Sequence, residues 1–355
     1  MFDFTSANLD KLVIHKVGNK LRDEGFFTSP AIYEMKDGNI EELLLKYFLT
    51  PFKDNSLYKF FHNQDIHANE LYMRVSNIFI KPESFYEESI NILKHLYDKS
   101  SHPQIRGGEF YMAYFKDCII NEQRTDAVGI FKTEKKGTYL KITKYANEFT
   151  VGSEKCIDVK KLDKGCIVFN VNSEDGYRVA VVDAVNKSDS QALYWKDDFL
   201  QLTSVQDSYF HTERHLQVCK DFAENIYGTV YQADKKDQVA FINEAVAYFD
   251  KHIEFDLEDF AQGVVKEPEL IEQFKEHKQN YDLNQGIKTV DQFSISTPAV
   301  KTIKRKLKSL IKLDTAFEIK VKNSSSEDGN RQHIERGFDE TKGMNFYKVY
   351  FNEEE

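Results

Sequence analysis

Residues Cys166–Ala184 read CIVFNV-NSEDG-YRVAVVDA and carry the clearest β pattern in the chain. Two runs rich in β-branched and aromatic residues flank a short polar stretch, and Gly176 can supply the positive φ that a tight turn needs. This arrangement predicts a β-hairpin. Runs of the same kind precede it at Glu109–Ile120, Ala127–Lys132 and Tyr139–Ile142. Together they predict a mostly antiparallel sheet.

Helical periodicity is present on both sides of these strands. A helix is predicted over Ile40–Phe48, before Pro51, because the residue that precedes a proline is disfavoured in the α conformation. A second helix is predicted over Ser84–Tyr97, and its first residues, SFYE, have the spacing of a capping box. From Gln206 onward apolar residues recur at three- and four-residue intervals, which predicts a mainly helical C-terminal region.

These patterns predict an α+β protein in two parts. Residues 1–204 are expected to form an N-terminal domain of mostly antiparallel sheet with helices. Residues 205–355 are expected to form a mainly helical region that contains a basic helix at 298–312 and is closed by a small β element. In that element we expect the strand-like segments Ala316–Val321 and Met344–Phe351 to pair across the polar stretch 323–330.

The composition excludes several classes of protein. With 355 residues, 41% of them hydrophobic and 14% aromatic, the chain is expected to fold rather than remain disordered. Its net charge of −10 means that any nucleic-acid surface must be a local patch. The four cysteines have neither zinc-pair spacing nor the density of a disulfide framework, and no apolar run is long enough to span a bilayer. We therefore expect a cytoplasmic protein with reduced thiols, no cofactor and no membrane partner.

The segment Pro298–Lys312 is the most informative for function. Thr297 and Pro298 suit an N-cap and a first helical position. From Lys301 to Lys312 there are six basic residues and no acidic one. Between Pro298 and Arg336 there are ten basic and five acidic residues, a net charge of +5, whereas the rest of the chain carries −15. On a helix the apolar residues of this segment fall on one face and the basic residues on the other.

Segregated positive charge suits a duplex phosphate backbone, because each neutralised phosphate releases a condensed counterion. An ordinary solvated face on a surface helix is the alternative interpretation. The helix lacks an aromatic or Asn/Gln set that could read base edges, so binding through it would tolerate many sequences. The residues expected to contact DNA phosphates are Lys301, Lys304, Arg305, Lys308 and Lys312.

Other clusters of polar residues have simpler explanations. His211 and His215 are four residues apart on a predicted helix, but no third ligand is near in sequence, so no metal site is expected. Asp256 and the carboxylates beside it suit the start of a helix. Nucleotide-binding and serine-hydrolase signatures are missing, and nothing points to an enzyme. A second basic cluster surrounds a predicted strand–turn–strand with Gly137 at the turn, where lysines would protect a sheet edge; its members are Lys132, Lys135, Lys136, Lys141 and Lys144.

The order of elements along the chain gives a family resemblance. The segments that carry it are Leu12–His15, Gly108–Phe115, Asp126–Phe131, Ile157–Leu162, the helix after Asp207, Pro298–Lys312, Phe317–Lys322 and Phe338–Tyr350. In these the chain resembles the bacterial nucleoid-associated proteins of the NdpA/YejK type. The resemblance implies association with the bacterial chromosome in the nucleoid through double-stranded DNA, with DNA-processing proteins as further partners. It implies no catalytic activity.

Two hypotheses follow. The first is a nucleoid-associated protein that binds double-stranded DNA largely without sequence specificity through the basic helix. The second is an acidic interaction module, a DNA mimic or adaptor acting on DNA-processing proteins, in which the basic helix is a protein-docking or homodimer face. A DNA-acting enzyme would need a divalent cation and converging carboxylates, which sequence spacing cannot reveal.

Overall fold

The computed structural model describes residues 2–52, 56–146, 148–184, 194–231, 233–307, 310–320, 334–351 and 353. Contacts group the chain into two compact units, Met1–Val205 and Gln206–Glu355. An antiparallel sheet dominates the first unit and helices dominate the second. The fold class is α+β, which confirms the prediction.

The first unit contains one large antiparallel sheet and a separate two-stranded ribbon. Its strands are β1 (Phe2–Asp3), β2 (Asn8–Val17), β3 (Phe26–Phe27), β4 (Tyr58–Phe60), β5 (Gly108–Ile120), β6 (Gln123–Thr133), β7 (Gly137–Tyr145), β8 (Glu148–Cys156), β9 (Lys164–Phe169), β10 (Arg178–Asp183) and β11 (Leu202–Ser204). The large sheet has the order β11-β4-β10-β9-β6-β5-β2-β3, and β1 pairs with β5. Among the described strands, β7 and β8 pair only with each other.

Helices cover both faces of the large sheet. They are α1 (Gly38–Leu49), α2 (Glu70–Ile80) and α3 (Phe85–Lys99). Side chains of β5 alternate between two cores: Phe110 lies in the core shared with α2 and α3, and Tyr111 in the core shared with α1. Because both faces are buried, β5 is a nearly continuous apolar run rather than an alternating one.

The hairpin predicted over Cys166–Ala184 is present as β9 and β10. The two strands are antiparallel, with Arg178 opposite Phe169. Gly176 in the connection has a φ of 82°, in the left-handed region where a glycine is favoured. The local turn chemistry therefore identified this hairpin correctly.

The predicted helices of the first unit are also present, but the proposed capping box is wrong. Residues Pro82–Ser84 form a 3-10 turn that leads directly into α3. Ser84 therefore already has helical backbone angles and makes no capping bond. Its hydroxyl instead donates to the carbonyl oxygen of Lys81 at 2.8 Å.

The second unit is mainly helical, as predicted. Its helices are α4 (Ser208–Phe222), α5 (Lys235–Lys251), α6 (Leu257–Phe260), α7 (Pro268–Gln285) and α8 (Thr297–Lys306). Phe222, Phe249, Phe260 and Phe274 lie in one buried core that these helices share. Within the described ranges, every helix is too short or too polar to cross a bilayer.

The small strands of the second unit pair differently from the prediction. They are β12 (Glu254–Asp256), β13 (Gln292–Ser294), β14 (Leu310–Lys312), β15 (Glu318–Lys320), β16 (Ile334–Asp339) and β17 (Met344–Val349). The expected pairing of 316–321 with 344–351 is wrong, because β15 pairs with β14 and β17 pairs with β16. Each of these four strands pairs with the strand next to it in sequence, which closes a shorter loop at a lower entropic cost. The polar stretch 323–330 lies outside the described residues.

Candidate nucleic-acid interface

Helix α8 begins with a capping serine followed by a proline. The N-cap is Ser296, not Thr297 as predicted, and the Ser296 hydroxyl oxygen accepts from the backbone N–H of Ala299 at 3.4 Å. Pro298 lies in the first turn, where its missing N–H leaves no hydrogen bond unmade. The backbone N–H of Ser296 donates to the hydroxyl of Thr212 on α4 at 3.0 Å, which holds the start of α8 on that helix.

Helix α8 ends at Lys306, so the helix predicted through Lys312 is too long. Residues 310–312 form the strand β14, and Lys312 is on that strand. The physical reason is tertiary: Ile311 is buried with Val239 and Ile334 in a small core of its own. Pairing with β15 satisfies the backbone there, which local amphipathicity does not reveal. Lys308 lies outside the described residues.

The apolar face of α8 anchors it to the second unit. Val300 and Ile303 are 1% and 3% exposed, and both belong to the core formed with α4 and α5. Leu307 packs against the same core. The predicted apolar stripe is therefore buried, and the basic side chains are left on the opposite face.

The predicted DNA-contacting residues differ in their ionic partners. Lys304 forms an ion pair with Asp250 at the end of α5. Lys312 on β14 lies 3.4 Å from the carboxylate of Glu318. Lys301 and Arg305 are exposed, and no carboxylate of the described residues lies within 4 Å of either. One helical turn separates these two residues, so they form the part of the basic face that is free to bind an anion.

One further basic residue of α8, Lys306, was not among the predicted contacts. Its ammonium lies 3.3 Å from the carboxylate of Glu213 on α4. Within the described part of the chain, Lys304 and Lys306 of α8 are therefore paired with carboxylates, whereas Lys301 and Arg305 are not. Which lysine of α8 pairs with a carboxylate depends on how α8 packs on α4 and α5. The sequence alone does not indicate these ion pairs.

The second basic cluster is a surface only in part: Lys135, Lys136, Lys141 and Lys144 are exposed as predicted, whereas Lys132 is not. Lys132 is fully buried, and its ammonium lies 2.9 Å from the carboxylate of Glu134. Burial lowers the pKa of Lys132, and the neighbouring Glu134 opposes that shift. Gly137 is not at a turn; it is the first residue of β7, which pairs with β8. The strand β8 was not predicted, although Phe149 and Val151 alternate with polar residues in it.

The histidine pair of α4 has a structural role. The ring Nε2 of His215 donates to the carbonyl oxygen of Val290 at 3.0 Å, and burial lowers the pKa of His215 to about 4. His211 and His215 both contact the ring of Phe293. Among the described residues, no group of three His, Cys, Asp or Glu side chains could hold a metal ion.

Asp256 caps the helix α6. Its carboxylate accepts from the backbone N–H groups of Glu258 at 2.8 Å and Asp259 at 3.1 Å. The backbone hydrogen bond from Asp259, followed by that from the side chain of Gln292, lowers the pKa of Asp256. Helix capping accounts for this carboxylate, as the sequence predicted.

Comparison with known proteins places the chain in a family. No curated protein matches it. A family model described as "Nucleoid-associated protein YejK" matches residues 13–341. The match begins within β2 and includes all later strands of the large sheet, the helical core and the whole of α8. It confirms the resemblance that the order of elements indicated. The chain therefore belongs to the family of the nucleoid-associated protein YejK.

Proposed function

We propose that this member of a nucleoid-associated family binds double-stranded DNA, largely without sequence specificity, through the basic face of α8. The observation that carries the proposal is the pair Lys301 and Arg305, exposed one helical turn apart with no carboxylate of the described residues within 4 Å. Phosphates on a duplex strand can reach both cations at once, and each contact releases counterions. The protein would act in the nucleoid, within the cytoplasm, without catalysing a reaction.

The packing of α8 supports this proposal. Because Val300 and Ile303 are buried, the helix is held rigidly with its basic face outward. In the free protein, an ion pair with a carboxylate is formed by each of Lys304, Lys306 and Lys312. Because exposed ion pairs contribute little to stability, these lysines can leave their carboxylates and contact phosphates instead. Phosphate contacts position a protein without reading bases, so the interface would accept many sequences.

The test is binding of a random-sequence duplex across a salt series. Wild type and the double variant Lys301→Glu/Arg305→Glu are compared with a control, Lys160→Glu/Lys288→Glu, which makes the same charge change at exposed sites elsewhere. We expect the α8 variant to lose binding while its circular dichroism spectrum and thermal midpoint stay those of wild type. Replacing the same two residues with Gln should make the slope of log K against log salt less steep by about 2.

The outcomes separate this proposal from the acidic interaction module. If wild type fails to bind duplex at low salt, or if the control loses binding as much as the α8 variant, the proposal is wrong. The interaction module would then take its place, and charge reversal on α8 should instead weaken self-association or capture of DNA-processing proteins. Sedimentation velocity on the same variants measures that alternative directly.

A further inference from the structure

The ribbon of β7 and β8 has no protein against it among the described residues. Its two nine-residue strands pair over their whole length, from Gly137 opposite Cys156 to Tyr145 opposite Glu148, and every residue in them is exposed. A two-stranded ribbon alone in water is only marginally stable. A long ribbon exposed on both faces is therefore suited to a partner outside the chain.

The two faces of the ribbon differ in chemistry. Directly opposed residues point to the same face, and neighbours along a strand point to opposite faces. One face, which we call the apolar face, carries four large side chains that are 66–78% exposed: Leu140, Ile142, Phe149 and Val151. Large contiguous apolar patches left exposed on a protein surface are typical of interaction sites. The opposite face carries Tyr139, Lys141, Tyr145 and both glutamates of the ribbon.

Charge is also divided between the faces. Lys144 and Lys155 lie on the apolar face, one toward each end, and that face carries no carboxylate. On the other face Glu154 is neutralised by an ion pair with Lys141. Exposed Lys135, just before the ribbon, adds a further positive charge. In a protein of net charge −10, an apolar face bordered only by cations is complementary to a polyanion.

We propose that the apolar face of the ribbon lies in the minor groove of duplex DNA and bends it. β-Strands that bind the minor groove press apolar side chains against base steps while lysines or arginines reach the flanking phosphates. Phe149, near the turn, is the largest side chain on the face and is placed to wedge between bases. This inference rests on the proposed function and adds a second contact, distinct from α8, that deforms the duplex.

A second copy of the chain suits this face less well. If the apolar faces of two ribbons packed together, two lysines from each copy would surround one apolar patch. The apolar face of each copy has no carboxylate to neutralise them. Like charges brought together across a β interface are destabilising. A duplex supplies the missing negative charge at both ends of the face.

The test measures the bend as well as the affinity. Full-length protein is mixed with a short duplex labelled at both ends, and energy transfer reports the end-to-end distance. The variant is the double replacement Phe149→Ala/Ile142→Ala, and the control is Tyr145→Ala, which removes an exposed aromatic ring from the opposite face. We expect wild type and Tyr145→Ala to bend the duplex. Phe149→Ala/Ile142→Ala should abolish bending and weaken binding by about tenfold.

The lysines provide a second measurement. The double variant Lys144→Gln/Lys155→Gln should make the slope of log K against log salt less steep by about 2. The variant Lys141→Gln, on the opposite face, should leave that slope unchanged. If the apolar-face variants bind and bend DNA as wild type does, while Lys301→Glu/Arg305→Glu does not bind, the ribbon inference fails and the proposed function stands. A wild type that never binds duplex overturns both. If the apolar-face variants bend DNA as wild type does but lose a dimer seen in sedimentation, the apolar face binds a second copy of the chain. If they instead lose binding to anionic lipid vesicles, the apolar face binds a membrane surface.

Discussion

Lys132 and Glu134 form an ion pair in the interior of the first unit, with Lys132 Nζ 2.9 Å from Glu134 Oε1 and side-chain exposures of 0% and 3%. The same ammonium donates to the carbonyl oxygen of Arg106 at 2.6 Å and to the hydroxyl of Tyr194 at 3.3 Å. The hydroxyl of Tyr194 in turn donates to Glu134 at 3.2 Å. A lysine that sequence alone placed on a surface is thus the centre of a buried polar network.

Removing one partner of this pair should destabilise the protein strongly. Lys132→Met leaves the carboxylate of Glu134 buried beside an apolar side chain, and we expect a loss of about 3–5 kcal/mol in the free energy of unfolding. The double variant Lys132→Met/Glu134→Leu should recover most of that loss, since no uncompensated charge remains. Urea denaturation measures wild type, the single variants Lys132→Met and Glu134→Leu, and the double variant. If the losses in the free energy of unfolding from the two single variants simply add in the double variant, the two residues are not coupled.

The turn between β9 and β10 should require glycine at position 176. Gly176 has a φ of 82°, and a Cβ there would lie 2.4 Å from the carbonyl oxygen of Phe60. We expect Gly176→Ala to cost about 2 kcal/mol or more, because both the backbone angle and the contact oppose it. Gly152→Ala is the control, since the nearest atom to its Cβ is 4.0 Å away. Equal thermal midpoints for the two variants would refute this account.

Stability should fall in acid because of buried histidines. Burial lowers the pKa of His215 from 6.5 to about 4, so the folded protein keeps this ring neutral where the unfolded chain is protonated. Lowering the pH through that interval favours the unfolded state and should reduce the free energy of unfolding by about 3 kcal/mol, with no further loss from this group below the interval. Burial likewise lowers the pKa of His15 to about 4.

The measurement for this prediction is urea denaturation at a series of pH values. His215→Gln keeps a donor for the carbonyl oxygen of Val290 and removes the titration, so its stability should vary less with pH than that of wild type. His67→Gln replaces an exposed histidine and serves as the control. A steeper acid loss in His215→Gln than in wild type would show that the sign is wrong.

Releasing a lysine of α8 should strengthen DNA binding under the proposed function. Asp250→Asn removes the carboxylate that holds Lys304, which frees one more cation and deletes a negative charge beside the basic face. We expect tighter binding at low salt and a slope of log K against log salt that is steeper by about 1. Glu272→Gln makes the same charge change at an exposed site on α7 and should leave binding unchanged. Weaker binding by Asp250→Asn would count against α8 as the interface.

Features predicted correctly from the sequence rest on local interactions. The hairpin around Gly176 depends on a turn glycine and its two flanking runs, and helices α4, α5 and α7 on a 3.6-residue period. The family resemblance depends on the order of such elements, and a family model covering residues 13–341 confirms it. Local pattern was less reliable at element ends, because Thr297 and Ser84 have the composition of N-caps but not the backbone angles.

Sequence patterns were sufficient to predict the α+β class, the strands and helices with strong periodicity, and the concentration of positive charge near the C-terminus. Three-dimensional packing was needed to show that Lys132 is buried, that α8 ends at Lys306 and that Lys304 forms an ion pair with Asp250. It also decided that β7 and β8 stand apart from the large sheet. The difference comes from separation along the chain: periodicity and turns act between near neighbours, whereas the contacts of Lys132 with Tyr194 and of Lys304 with Asp250 join residues far apart in sequence.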